Sequence, residues 1–192
     1  MDSFYSKKEL EQIGLKKIGE NVKLSKKASF YAPEKISIGS NVRIDDFCIL
    51  SGLITIGDYV HIAAYTALYG GDCGVSVGDF VNLSSRICIY SVSDDYSGQF
   101  MTGPMVPDSY RSVHEEAVSI GRHVIIGSAS MVMPGVNIGE GCAFGAFSFV
   151  NHSTEPWTIN AGIPCKVIKQ RQKTLLQYED KFVNCFDDNK TR

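Results

Sequence analysis

Long apolar runs are missing from this 192-residue chain. Nothing in it approaches the ~20 residues that a membrane-spanning helix needs. The opening residues, Met1 to Lys8, lack the apolar core of a signal peptide. An excess of either charge sign is missing too: the net charge is −2. A nucleic-acid footprint would need a clustered basic face, and the sequence shows none. Cysteine is present six times, yet no two cysteines form a CxxC pair, so they read as buried, inert thiols of a reducing compartment. These absences leave a cytoplasmic globular chain whose length suits one core.

What is present is a period. Ile120, Ile126, Val132, Ile138, Phe144 and Val150 fall on every sixth position, and Gly follows four of them. Four places after each lies a small or β-branched residue: Val124, Ser130, Val136, Cys142 and Ser148. Six is a multiple of the strand period of two, so positions i and i+4 face one side. An α-helix would smear the stripe around its circumference. The pattern predicts a coil of short strands with the bulky residues stacked inward, and with Gly letting the backbone bend.

The same step runs upstream. Ile18, Leu24 and Phe30 keep it, then Ile38, Ile44, Leu50, Ile56, Ile62 and Leu68, with Val42, Cys48, Ile54, Val60 and Thr66 as inward partners. An insertion at Tyr69 to Gly74 interrupts it, and Val77, Leu83 and Ile89 resume it. Ser6 to Glu9 has the form of a capping box, which predicts a short helix over residues 6–13. The pattern lapses over 90–119, a polar stretch carrying Tyr90, Tyr96, Tyr110, Pro104 and Pro107. A solenoid can eject such a segment on its binding face, and a loop this long is usually functional. From Gln170, Leu175, Tyr178, Phe182 and Phe186 stand at helical spacing, which predicts a C-terminal helix covering an open end of the coil. The organisation expected is a lead-in over 1–17, a β-coil over 18–169 and a helical tail over 170–192.

The repeat is the hexapeptide repeat. With Pro134-Gly135-Val136, Gly145-Ala146 and the closing run Ala161 to Lys169, the chain resembles the hexapeptide-repeat acyltransferases, in their sugar acetyltransferase branch. That resemblance implies an all-β left-handed parallel β-helix. The hand comes from the resemblance alone, since general physics favours right-handed crossovers. It also implies a homotrimer with sites between subunits, acyl-coenzyme A as cosubstrate and no metal.

Counted from Val77-Gly78, Asp94 occupies the position at which galactoside-type members carry their general-base His. A neutral His suits a hydroxyl acceptor, whereas a carboxylate can bind and orient an ammonium and accept its proton. Asp94, Asp95, Tyr96 and the following Pro-x-Val-Pro resemble the branch that N-acylates nucleotide-linked 4-amino-4,6-dideoxyhexoses, the anthrose-pathway type included. The expected reaction is direct acyl transfer in a ternary complex, with Asp94 as base and no acyl-enzyme. Ser84 and Arg86, taken to lie one coil from Asp94, are candidates to bind the sugar or its phosphates, and a surface bend explains them equally well. Asp72 resembles an acidic residue that orients sugar in other members, and a tight turn explains it nearly as well.

For the coenzyme, the resemblance implies contacts at Ser128, Ala129, Gly145, Ala146, Asn151, His152 and Pro164, and phosphate contacts at Lys166 and Lys169. His114, in the same loop, is the competing base and would go with sugar O-acetylation. His61 and His123 read as surface groups. A metal hydratase of related fold would need three gathered histidines, and the spacing of the four here does not match. A non-catalytic β-helix module is the alternative from another class.

Overall fold

The computed structural model describes residues 3–190, with side chains to residue 184. It is a left-handed parallel β-helix of about seven turns. Three columns of inward residues form the core. The first pairs Ile18 with Ile38, Ile38 with Ile56, Ile56 with Val77, Val77 with Ile120 and Ile120 with Ile138. The second runs Leu24, Ile44, Ile62, Leu83, Ile126, Phe144 and Asn160. The third runs Phe30, Leu50, Leu68, Ile89, Val132 and Val150. Apart from Asn160, these are the residues of the six-residue stripe, and most are fully buried. The i+4 partners, from Val42 and Cys48 to Cys142 and Ser148, are buried beside them. Burial pushes the Cys48 thiol up to about 11, so it is an uncharged filler. Cys73 is exposed and Cys88 half-buried, against the expectation of buried thiols throughout. Cys185 lies outside the described side chains.

The repeat glycines have a different job from the one read in the sequence. Bending falls instead on two corners of the coil, mostly on the residue three places after a stripe residue of the first or second column, which takes left-handed backbone. Tyr59 (φ 58°), Phe80 (58°), His123 (59°) and Trp157 (60°) do so along one corner. Phe47, Tyr65, Arg86, Ala129 and Phe147 do so along the next. Such a conformation costs about 1–2 kcal/mol for a residue with a Cβ, and stacking offsets it. The Tyr59 and Phe80 rings lie 5.0 Å apart, and Phe80 and His123 also 5.0 Å. The glycines are needed for close approach. A Cβ on Gly127 would lie 2.4 Å from the Ala146 nitrogen, and one on Gly39 2.6 Å from the Gly57 carbonyl oxygen.

The N-terminal helix spans Lys7–Gln12, with Ser6 and Glu9 forming the reciprocal capping box. The C-terminal helix, Leu175–Lys190, does not cover an end of the coil. It lies along the first aromatic corner: Phe182 meets the Tyr59 ring edge-on at 5.2 Å, and Glu179 accepts from Arg122 and from His123 Nε2. His123 is therefore buried rather than a surface group. Phe186 lies outside the described side chains. The strand Lys166–Gln170 folds back antiparallel on Thr158–Ala161 and occupies the last edge of its sheet. This strand covers the edge that the helix was expected to protect.

Candidate active site

The ejected segment is shorter than the sequence suggests and has structure of its own. Tyr90 and Val118 already belong to coil strands, Cys88–Tyr90 and Val118–Ile120. Between them, Val92–Asp94 pairs antiparallel with Val113–Glu115. The Glu116 N–H donates to Ser91 O at 2.9 Å and closes the base of this ladder.

Register decides which side chains meet. Val92 pairs with Glu115, Ser93 with His114 and Asp94 with Val113. Directly opposite residues share a face of a ladder, and successive residues alternate. Asp94 and Glu115 therefore lie on one face and His114 on the other. The Asp94 face borders a cleft of about 970 Å³ between the ladder and the coil. Tyr69, Tyr90, Met131 and Met133 supply the coil side of this cleft, and Tyr96 and Pro104 the outer side. Tyr69 and Tyr90 stack at 5.1 Å, nearly parallel, and burial pushes the Tyr90 phenol up to about 12. Arg111 also lines the cleft, but Asp108 accepts from its Nε and Nη2 at 2.8 and 2.6 Å. His114 is exposed, 3.6 Å from Glu116.

Asp95 faces its own loop instead of the cleft. It accepts from the N–H groups of Ser97, Gly98 and Phe100, and bonds to Ser97 foremost hold its carboxyl down to about 2. Asp72 is turned away as well: Lys35 Nζ lies 2.8 Å from it and lowers its carboxyl. Ser84 and Arg86 precede Asp94 on the same coil, not one coil away. They sit at the corner before Cys88–Tyr90, whereas Asp94 follows that strand. Arg86 lies over the Tyr65 ring at 5.6 Å.

That corner continues through the residues implied for coenzyme binding. The Ala129 N–H donates to Ser85 O, Phe147 to Ser128 O and Phe149 to Gly162 O. Ser84, Arg86, Ser128, Ala129, Gly145, Ala146 and Pro164 thus stack in one line along the coil. Asn151 and His152 follow the strand Phe149–Val150 and lie at the other edge of that face. Lys166 and Lys169 are exposed on the closing strand. The four histidines are engaged separately, and no group of three or more His, Cys, Asp or Glu suited to a metal occurs among the described residues.

A family model for the bacterial transferase hexapeptide (six repeats) matches residues 117–152. A dTDP-4-amino-4,6-dideoxy-D-glucose acyltransferase from Escherichia coli is 50% identical over 177 residues, covering 91% of this chain and 92% of the relative. The chain belongs to the hexapeptide-repeat acyltransferases. Within that family, the crystal structure of AntD, an N-acyltransferase from Bacillus cereus, in complex with dTDP and 3-hydroxybutyryl-CoA superposes with a TM-score of 0.95. It is 51% identical and covers 97% of this chain and 100% of that one. A serine-to-alanine form of AntD, bound to dTDP-4-amino-4,6-dideoxyglucose and coenzyme A, also gives a TM-score of 0.95 at 51% identity. It covers 96% of this chain and 100% of that chain. This chain is an acyltransferase with acyl-coenzyme A as cosubstrate.

The cleft contains residues that the sequence alone did not single out as candidates: Ser51, Tyr69, Arg111, Glu115, Met131 and Met133. Ser51, Tyr69 and Tyr90 are register neighbours on successive coils. The insertion at Tyr69 to Gly74 and the ejected segment break their spacing. One signal was available: each follows a stripe residue directly, so each points outward on one face.

Proposed function

We propose that this acyltransferase moves an acyl group from coenzyme A onto the 4-amine of dTDP-linked 4-amino-4,6-dideoxyglucose, with Asp94 as general base. The observation that carries this reading is position on the ladder. Asp94 and its neighbour Ser93 line the cleft, whereas His114, across the ladder from Ser93, is exposed beside Glu116 and does not. The second support is the pair of relatives whose names carry this amino sugar or its nucleotide. AntD was also crystallised with an aspartate substituted.

The local charge suits an ammonium head. Asp94 and Glu115 share the cleft face, and the one guanidinium there is committed to Asp108. The ammonium bound at Asp94 first releases one proton to solvent, and the neutral nitrogen then attacks the thioester carbonyl carbon while the carboxylate takes its surplus proton. The carbon–sulfur bond then breaks, and the carboxyl passes that proton to the departing thiolate, so coenzyme A leaves as the thiol. Charge developing on the carbonyl oxygen needs a preorganised donor. Gly145 cannot supply it, because its N–H is given to Asn160 O at 2.9 Å. The Ala146 N–H takes that role. No acyl-enzyme forms, so initial-rate patterns are sequential, and a pre-steady-state burst of free thiol would exclude this route.

The working unit of this proposal is a cytoplasmic homotrimer. Asp94 and the Ser128–Ala146 corner lie at opposite edges of one face, so one chain holds half of each site. The corner exposes Phe47, Tyr65, Phe147 and Ile163, and packing that edge against a neighbour's ejected segment would bury them. A fully active monomer in light scattering excludes this arrangement. The decisive experiment compares Asp94→Asn with His114→Asn at saturating acyl-CoA. Loss of turnover in the first alone supports the amine reading, and loss in the second alone supports O-acylation with His114 as base.

A further inference from the structure

The cleft has a second wall that the base and the coenzyme line do not use. Tyr69 and Tyr90 stack at 5.1 Å on adjacent coils, and Met131, Met133 and Val92 continue the same surface. Tyr69 and Tyr90 are register partners, and Cys88 pairs with Met131, which puts Met133 opposite Tyr90 on the next coil. The result is an apolar strip of two phenol rings and two thioethers beside a carboxylate. Nothing in acid–base chemistry at Asp94 requires it.

We infer that this strip reads the 6-deoxy character of the sugar: the Tyr90–Met133 surface takes the C5-methyl group of the 4-amino-4,6-dideoxyhexose, and Tyr69 underlies the ring. The inference rests on the amino-sugar reading above. In a gluco-configured pyranose the C4 amine and the C5 substituent are equatorial on neighbouring ring carbons. A sugar held by its amine at Asp94 must therefore put its C5 substituent within a few ångströms of that carboxylate. The ring faces carry axial C–H bonds, which suit an aromatic surface. A C6 hydroxyl at the same place would lose its water and meet rings and sulfur that cannot replace those hydrogen bonds. Methionine adapts its shape to a methyl group. An apolar pocket rejects an added hydroxyl only modestly, by about 10²-fold at most.

The test compares kcat/KM for dTDP-4-amino-4,6-dideoxyglucose and for its 6-hydroxy counterpart, in the native chain and in Met133→Gln and Tyr90→Phe. The native enzyme is expected to prefer the deoxy sugar by about 10- to 100-fold. Met133→Gln brings the ratio within about threefold of unity, and Tyr90→Phe, which keeps the surface apolar, retains the preference. Melting temperature checks that both variants fold. An unchanged ratio in Met133→Gln overturns the inference. So does a variant that instead alters the ranking of acetyl-CoA against 3-hydroxybutyryl-CoA, because the strip then lines the acyl chain. If the native enzyme acylates neither amine, the amino-sugar reading itself has failed; turnover of both without preference sinks this inference alone.

Discussion

The stacked coils and the ejected segment are held by different kinds of interaction. In the coils, backbone bonds join residues about one turn apart, such as Gly127 N–H to Phe144 O at 2.9 Å. Neighbouring turns approach so closely that a Cβ at Gly127 has no room. In the segment, one two-stranded ladder stands alone, and beyond it the side-chain bonds are short-range: the Ser97, Gly98 and Phe100 N–H groups to Asp95, and Arg111 to Asp108. Gly98 there has φ 81° and open space around it, with nothing within 4 Å of an added Cβ. Met105 and Tyr96 are 95% and 91% exposed. The coils therefore carry the stability, and the segment carries the proposed base. Substitutions in the two regions should separate into losses of fold and losses of rate.

The largest separation is expected at Asp94. Asp94→Asn should keep the native melting temperature and coenzyme A binding while turnover falls by about 10²–10⁴-fold, the usual cost of losing a general base. A loss below about tenfold would take the role away from Asp94. The opposite behaviour is expected at Leu83, fully buried in the second column. Leu83→Ala should cost about 2–5 kcal/mol in denaturant unfolding, from lost transfer energy and the cavity left behind. A cost under 1 kcal/mol would show that the coils collapse around small cavities.

Smaller effects sharpen the same contrast. Gly127→Ala must push two backbones apart, whereas Gly98→Ala meets only its own left-handed backbone. The second should cost about 1–2 kcal/mol, be confined to hydrogen exchange of the segment, and leave global unfolding unchanged. If both glycines lower the global midpoint equally, the two regions are not separate. The smallest effect concerns acid. The Asp95 carboxyl is held at about 2 when folded, below its unfolded value. Its contribution is thus present above the ordinary carboxylate range and is lost as pH falls through about 2. Exchange protection at Ser97 to Phe100 should persist at pH 3 and drop near pH 2, and Asp95→Asn should abolish that dependence. Loss of protection already at pH 4 would contradict it.

How far the sequence could be read differs between these regions for a geometric reason. The Ile-Gly steps announce the core because every coil repeats the same environment, so the stripe, its i+4 partners and the short N-terminal helix were legible. The corner aromatics were legible in principle: Tyr59, Phe80 and His123 each stand three places after a stripe residue. Their left-handed backbone was not anticipated, because bulky residues there run against single-residue preference. The C-terminal helix was recognisable from Leu175, Tyr178 and Phe182, but spacing carries no information about the surface it meets. That surface proved to be Tyr59, Phe80 and His123.

The sequence by itself determined the solenoid, since a six-residue period in apolar side chains has few other ways to bury itself. It also determined that a segment within 90–119 leaves the coil, because the six-residue step lapses there, although the structure returns Tyr90 and Val118 to coil strands. Only the tertiary structure decided between Asp94 and His114 at the cleft. Both lie in one ejected segment, and the choice of face depends on a cross-strand register that pairs Asp94 with Val113 and Ser93 with His114. A shift of one residue would reverse it. The structure likewise decided the apolar strip, because Tyr69, Tyr90 and Met133 become neighbours only when three coils stack across an insertion and an excursion that hide their spacing along the chain.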